Sequence, residues 1–281
     1  MLIYNGSDRK KGSVSSSKGN QLKYNVDDKW IKVDFLGYEG AAELLCSEIL
    51  KYSNVSYFVE YDLETIKYNN REFTGCISKS FLSGDENVVT LENLILKTCG
   101  CTFTSFCNEK TTREKIVSLV DLVKEKTGLE YFGEYLTTLL ELDAFVLNED
   151  RHSYNIAFLY DKGDWSYCPI FDNGAAFLSD MREDYPLEKN YIGLMASVTA
   201  KPFTKDFDSQ MELCRELYGE QLQILKSITL ENAYDKIANF YGEKVLERMK
   251  LIFEKQKFQY MEMFVDRLRE PDWEENLSKI R

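Results

Sequence analysis

The chain has almost no histidine and very little proline: of 281 residues, one is His and 4 are Pro. With so few prolines, and with 18 Tyr and 17 Phe, a disordered or collagen-like chain is excluded and large filled interiors are expected. A Ser-His-Asp hydrolase would have to use His152, and there is no Gly-x-Ser-x-Gly elbow to carry its nucleophile. No apolar run reaches the ~18 residues of a membrane span. The start, Met1-Leu-Ile-Tyr-Asn-Gly6, lacks the basic and apolar parts of a secretory signal. Basic residues are outnumbered 47 to 35, for a net charge of −12, so duplex nucleic acid and anionic membrane surfaces are not expected as partners. The 7 cysteines are odd in number and scattered, as reduced thiols of a cytoplasmic protein would be. Cys99, Cys101 and Cys107 match no zinc spacing and read as loop and core thiols.

What is present changes character along the chain. Residues 10–20 are small, polar and rich in Gly and Ser, the composition of a loop. Two β-type runs, 21–26 and 29–35, flank Asp27-Asp28 as a hairpin. Gly40 to Tyr52 has helical spacing, and 55–61 and 72–82 read as further strands. After about residue 85 helical patterns take over. Thr111-Thr-Arg-Glu114 is a capping-box sequence before a helix closed by Gly128, and 131–147 is a largely buried helix. Residues 206–270 read as almost wholly helical up to Pro271, with 243–270 a surface helix.

The informative stretch is Asn148-Glu-Asp150-Arg151-His152-Ser-Tyr-Asn155, followed by Phe171-Asp172-Asn173-Gly174. Between them, 156–160 and 165–171 are β-type runs around Asp161-Lys162-Gly163-Asp164, a hairpin signal. Asn155 and Asp172 lie nearly equidistant from its tip, so the folded hairpin brings them together at its open end. Asp150 sits five residues before Asn155, on the loop leaving the helix. Two hard oxygen ligands beside a third carboxylate suit Mg²⁺ carrying phosphates. Phosphoryl transfer needs this layout: Asp150 to orient a hydroxyl and take its proton, and Asn155 and Asp172 to hold the metal. It also needs a strand lysine for the phosphates of ATP, and Lys32, mid-strand between Ile31 and Val33, fills that place. Periodicity leaves its partner open among Glu39, Glu43 and Glu48. Arg151 and His152 are expected to brace the loop.

The Asn-x-Asp-Arg-His-x-x-Asn sequence, with the hairpin and Phe-Asp-Asn-Gly after it, resembles the HipA-like serine/threonine kinases. The likeness extends to Trp30–Phe35, Gly40–Cys46 and Cys76–Leu82. It implies an α+β, two-lobed protein-kinase-like fold with a small β-rich N-lobe and a larger, mostly helical C-lobe. It selects Glu43 as the partner of Lys32. It puts loop 12–19 in the place of a glycine-rich loop, although neither Gly-x-Gly-x-x-Gly nor a Walker A sequence is present. Ser16, Ser17 and Gly19 are the expected backbone contacts to phosphate there. Strand 76–82 would lead to the adenine-binding hinge, and Lys201-Pro-Phe203 would anchor the end of an activation segment, 175–200.

The expected lobes are 1–86 and 87–281. Compared with longer HipA-like proteins the chain lacks an extra N-terminal subdomain, which a small regulatory or antitoxin partner would supply, and a toxin–antitoxin role is implied by the likeness alone. The expected activity is ATP- and Mg²⁺-dependent transfer to a Ser/Thr hydroxyl of a protein. The rival readings are a small-molecule or phosphoinositide-type lipid kinase, and an inactive kinase fold used for binding.

Overall fold

The computed structural model describes residues 2–4, 21–271 and 273–274. Tight polar turns build its first sheet. After β1 (Leu2–Tyr4), Asp27-Asp28 joins β2 (Lys23–Val26) to β3 (Lys29–Val33). Following α1 (Glu39–Leu50), Asn69-Asn70 joins β4 (Asp62–Tyr68) to β5 (Arg71–Lys79). All four turn residues have φ between 47° and 60°, a conformation that Asp and Asn tolerate better than other side chains and that matches hairpin twist. The strand order is β1-β4-β5-β3-β2, with β1 parallel to β4 and the other pairs antiparallel. Alternation sends Tyr24, Ile31, Val33 and Ile66 into a small cluster on one face. The other face carries Leu63, Cys76 and Lys32 toward α1, which is buried along most of its length. Gly75 pairs with Val33 beside them, and a Cβ there would lie 2.1 Å from the carbonyl oxygen of Lys32, so only glycine lets these strands meet.

The second lobe is helical around a three-stranded sheet. β6 (Asn87–Thr90) leads into α2 (Leu91–Cys99), α3 (Phe103–Phe106), α4 (Thr112–Thr127) and α5 (Phe132–Val146). The Thr111 capping box is present in full, and Gly128 ends α4 at φ 76°. β7 (Ala157–Asp161) and β8 (Asp164–Tyr167) form the expected hairpin, with Lys162-Gly163 at its tip, and β6 pairs with β7. The chain then runs through α6 (Tyr191–Met195), α7 (Phe207–Tyr218), β9 (Ile224–Leu225), α8 (Glu231–Tyr241), α9 (Glu243–Gln259) and β10 (Phe264–Val265). Almost every residue of α5 is buried, which fixes the loop that follows it. Among the described residues no helix is long and apolar enough to cross a membrane.

Two expectations need correction. Residues 55–61 are not a sheet strand: they pack on the core through Val55, Val59 and Tyr61 and make one bridge, Phe58 to Ile170, while the pairing strand is 62–68. The run 206–270 is not one helical array either. Gly219 and Gly242, at φ 79° and 81°, interrupt it, 219–230 contains the short β9, and α9 ends at Gln259, well before Pro271.

The lobes are joined along two lines. Val59 N–H donates to the Ile170 carbonyl at 2.9 Å, and Ile170 N–H to that of Tyr57 at 3.0 Å. On the other side, Tyr38 N–H donates to the Ser179 carbonyl and Arg182 N–H to that of Leu36, both at 3.1 Å. The Tyr38 hydroxyl donates to the Phe177 carbonyl at 2.7 Å. Between these lines Phe177 and Leu178 adopt φ of 54° and 59°, strained for bulky side chains and fixed by their surroundings.

Candidate active site

Lys32 is 7% exposed, and a buried ammonium needs charged partners. It has two, Glu43 of α1 and Asp172, the latter at 2.6 Å, and it donates to the Tyr61 hydroxyl at 3.3 Å. Burial alone would lower its pKa, but Asp172 and Glu43 carry it well above the ordinary value. Glu43 Oε2 accepts the Asn173 N–H at 2.9 Å, so one glutamate joins the strand lysine to the backbone beside Asp172. Neither Glu39 nor Glu48 takes this place: Glu39 accepts from the N–H groups of residues 35–37 and Glu48 pairs with Lys51.

Asp172 stands at φ 61°, beyond the β7–β8 hairpin. Lys23 also donates to it, at 3.0 and 3.2 Å to its two oxygens. Burial would raise the Asp172 carboxyl, but the ammonium groups of Lys23 and Lys32 outweigh it and hold the group well below the usual carboxylate range.

The loop after α5 begins with Leu147 at φ 57° and is held from beneath by Arg151, which is fully buried. Its guanidinium pairs with both oxygens of Asp143 at 2.9 Å, and donates to the carbonyls of Asn155 and Phe171 at 3.1 Å and to Asn173 Oδ1 at 2.6 Å. It thereby ties the loop to the segment carrying Asp172. Asn155 Nδ2 donates to the Asp150 carbonyl at 2.8 Å, leaving its amide oxygen as the group able to face a cation. Asp150 Oδ1 accepts from Lys201 at 2.9 Å. His152 Nε2 lies 3.7 Å from Asp150 Oδ2, and burial lowers the His152 pKa against the pull of Asp150.

Two cavities meet here. A largely apolar one of about 140 Å³ lies between the lobes, walled by Trp30, Val59, Phe81, Leu82, Val88 and Phe171 with Lys32 at one end. A polar one of about 50 Å³ is lined by Glu39, Glu149, Asp150, Ser179 and Asp180. Lys23, Asn155 and Asp172 line both, and so form the wall between them.

The structure thus brings Lys32, Glu43, Asp150, Asn155 and Asp172 to one cleft. Ser16, Ser17 and Gly19 lie outside the described residues. Sequence reasoning missed Lys23 and Asp180, and it gave Lys201 only as part of the anchor of the activation segment. Lys23 had a signal: counted from the Asp27-Asp28 turn it is the mirror partner of Lys32, as the register shows. Lys201 and Asp180 have none, since they reach the cleft by tertiary packing. Among the described residues no cluster of three or more His, Cys, Asp or Glu could hold a metal alone. Mg²⁺ bound with phosphates needs only one or two protein oxygens, which Asn155 and Asp172 can supply, and Lys23 and Lys32 stand beside them to meet phosphate charge.

No protein-family model matches the sequence, and no curated protein does. Among solved structures, the Helicobacter pylori proinflammatory kinase CtkA is similar at a TM-score of 0.60 and 15% identity, over 91% of this chain and 93% of that one. HipA of Shewanella oneidensis MR-1, from a toxin–antitoxin system with HipB and its operator DNA, aligns at a TM-score of 0.44 and 12% identity. That alignment covers 94% of this chain but only 62% of the HipA chain. The likeness to CtkA shows the fold: a two-lobed kinase-like architecture, as the sequence implied.

Proposed function

We propose that this chain is an ATP- and Mg²⁺-dependent kinase of the HipA-like kind, transferring the γ-phosphoryl group to a Ser or Thr hydroxyl of a protein. The observation that carries the reading is the wall of Lys23, Asn155 and Asp172 between an apolar cavity and a polar one containing Asp150. The adenine belongs in the apolar cavity, which puts the phosphates against Lys32 and Lys23 and the acceptor hydroxyl on the Asp150 side. Asn155 and Asp172 would hold Mg²⁺, which neutralises phosphate charge when bound. Asp150 orients the acceptor hydroxyl and takes its proton as the new O–P bond forms and the bond to the ADP leaving group breaks. Lys201 holds the Asp150 carboxylate in place. Glu43 keeps Lys32 extended into the cleft, and Arg151 fixes the loop to the Asp172 segment. The resemblance adds a small regulatory or antitoxin partner to this reading.

Labelled ATP, Mg²⁺ and a cell lysate, with wild type, Asp150→Ala and Asp172→Ala, test it. Label on protein that disappears in both variants is the expected result. Label on small molecules or lipid instead would replace the protein acceptor with a metabolite or lipid. Nucleotide binding without any transfer would make this a binding module.

A further inference from the structure

Asp180 is 4% exposed and lines the polar cavity. Its Oδ1 accepts the Glu183 N–H at 2.9 Å, while Oδ2 is buried without a hydrogen-bond partner among the described residues. A buried carboxylate oxygen left unpaired is costly, and such a group in a binding cleft is satisfied when its ligand arrives. The other carboxylates of this cavity are already engaged. Glu39 accepts three backbone N–H groups, Glu149 the Tyr185 hydroxyl, Asp150 the Lys201 ammonium, and Asp172 both Lys23 and Lys32.

Charge points the same way. Five carboxylates line the cavity and one ammonium does, that of Lys23; adding Lys32 and Lys201 still leaves an excess of negative charge.

We infer that the acceptor is a basic segment: a Ser or Thr whose neighbouring Lys or Arg delivers its cation to the Asp180 carboxylate while the hydroxyl faces Asp150. This rests on the kinase reading and names the substrate class at that same site. Asp180 then acts as a specificity residue, binding the acceptor and leaving the nucleotide alone.

The test measures binding as well as transfer. Fluorescent Ser peptides flanked by Lys or by norleucine are titrated into the full chain with ADP and Mg²⁺, for wild type and Asp180→Asn. Asparagine keeps Oδ1 for the Glu183 N–H, and ADP affinity and thermal melting check that the fold and nucleotide cavity are intact. Wild type should bind the Lys peptide about tenfold more tightly, and Asp180→Asn should erase that preference with norleucine-peptide affinity unchanged. Equal affinity for the two peptides in wild type overturns the inference. So does a preference that survives in Asp180→Asn, or a variant whose defect is repaired by raising Mg²⁺, which would make Asp180 a metal ligand. These readings need no phosphoryl transfer. Loss of transfer with the peptide preference intact would therefore sink the kinase reading alone.

Discussion

Lys23 and Lys32 stand directly opposite one another in the β2–β3 ladder and both donate to the same atom, Oδ1 of Asp172. Both ammonium groups and the carboxylate proposed to hold the metal thus sit in one ion-pair cluster, which Glu43 completes. On the proposed reading, phosphates would take these lysines over from Asp172.

Replacing either lysine by methionine should therefore separate two effects. Lys32→Met should lower kcat by about 100-fold or more, the size seen when one preorganised donor to transferring charge is removed. Lys23→Met should weaken ATP more than ADP, because Lys23 borders the acceptor cavity as well as the nucleotide cavity. Steady-state transfer and calorimetric titration of both nucleotides check this, and equal losses for ATP and ADP would place Lys23 away from the terminal phosphate.

The same carboxylate predicts a pH dependence. Its pKa is depressed in the folded chain, so the stability it contributes is present above the unfolded value of about 3.9 and is lost as pH falls toward the folded value. Urea midpoints of wild type should fall below about pH 4 more steeply than those of Asp172→Asn, which lacks the group. Parallel curves would contradict the ion-pair geometry.

Arg151→Ala should destabilise by about 3–5 kcal/mol, since it leaves Asp143 charged and buried without its partner. Arg151→Lys should recover only part of this, because a single ammonium cannot reproduce the four-partner fork. Chemical denaturation measures both.

Val88 lines the apolar cavity yet is 38% exposed, so a larger side chain fits there without disturbing the core. Val88→Trp should cost ATP and ADP alike more than about tenfold in affinity, roughly 1.4 kcal/mol, with an unchanged melting temperature. Normal nucleotide affinity in this variant would move the adenine elsewhere.

Much of this arrangement could be read from residue spacing because the turns are local. The Lys162-Gly163 tip brought Asn155 and Asp172 toward one place, and the capping residues of α4 marked its ends. Residues 55–61 misled because their apolar alternation serves core packing and not sheet pairing. Glu43 needed resemblance, since three glutamates of α1 share the helical spacing, and only the fold shows which one meets Lys32. Lys201 and Asp180 carry no local sign of their place. The backbone leading to Asp180 passes through two left-handed bulky residues that no propensity favours, held there by the Val146 carbonyl, which accepts the Phe177 N–H, and by the Tyr38 hydroxyl of the other lobe.

Those inter-lobe contacts have a mechanical consequence. The stretch from Ile170 to Arg182 is fastened at both ends to the smaller lobe, by Tyr57 and Val59 on one side and by Leu36 and Tyr38 on the other. It therefore forms a floor of the cleft that is tied to the smaller lobe at both ends. The opposite side is closed by β2, which pairs only with β3 among the described strands and reaches the floor through the Lys23–Asp172 ion pair. On the proposed reading, a nucleotide that enters past that edge has to part an ion pair, and its exchange should then quicken as salt is added.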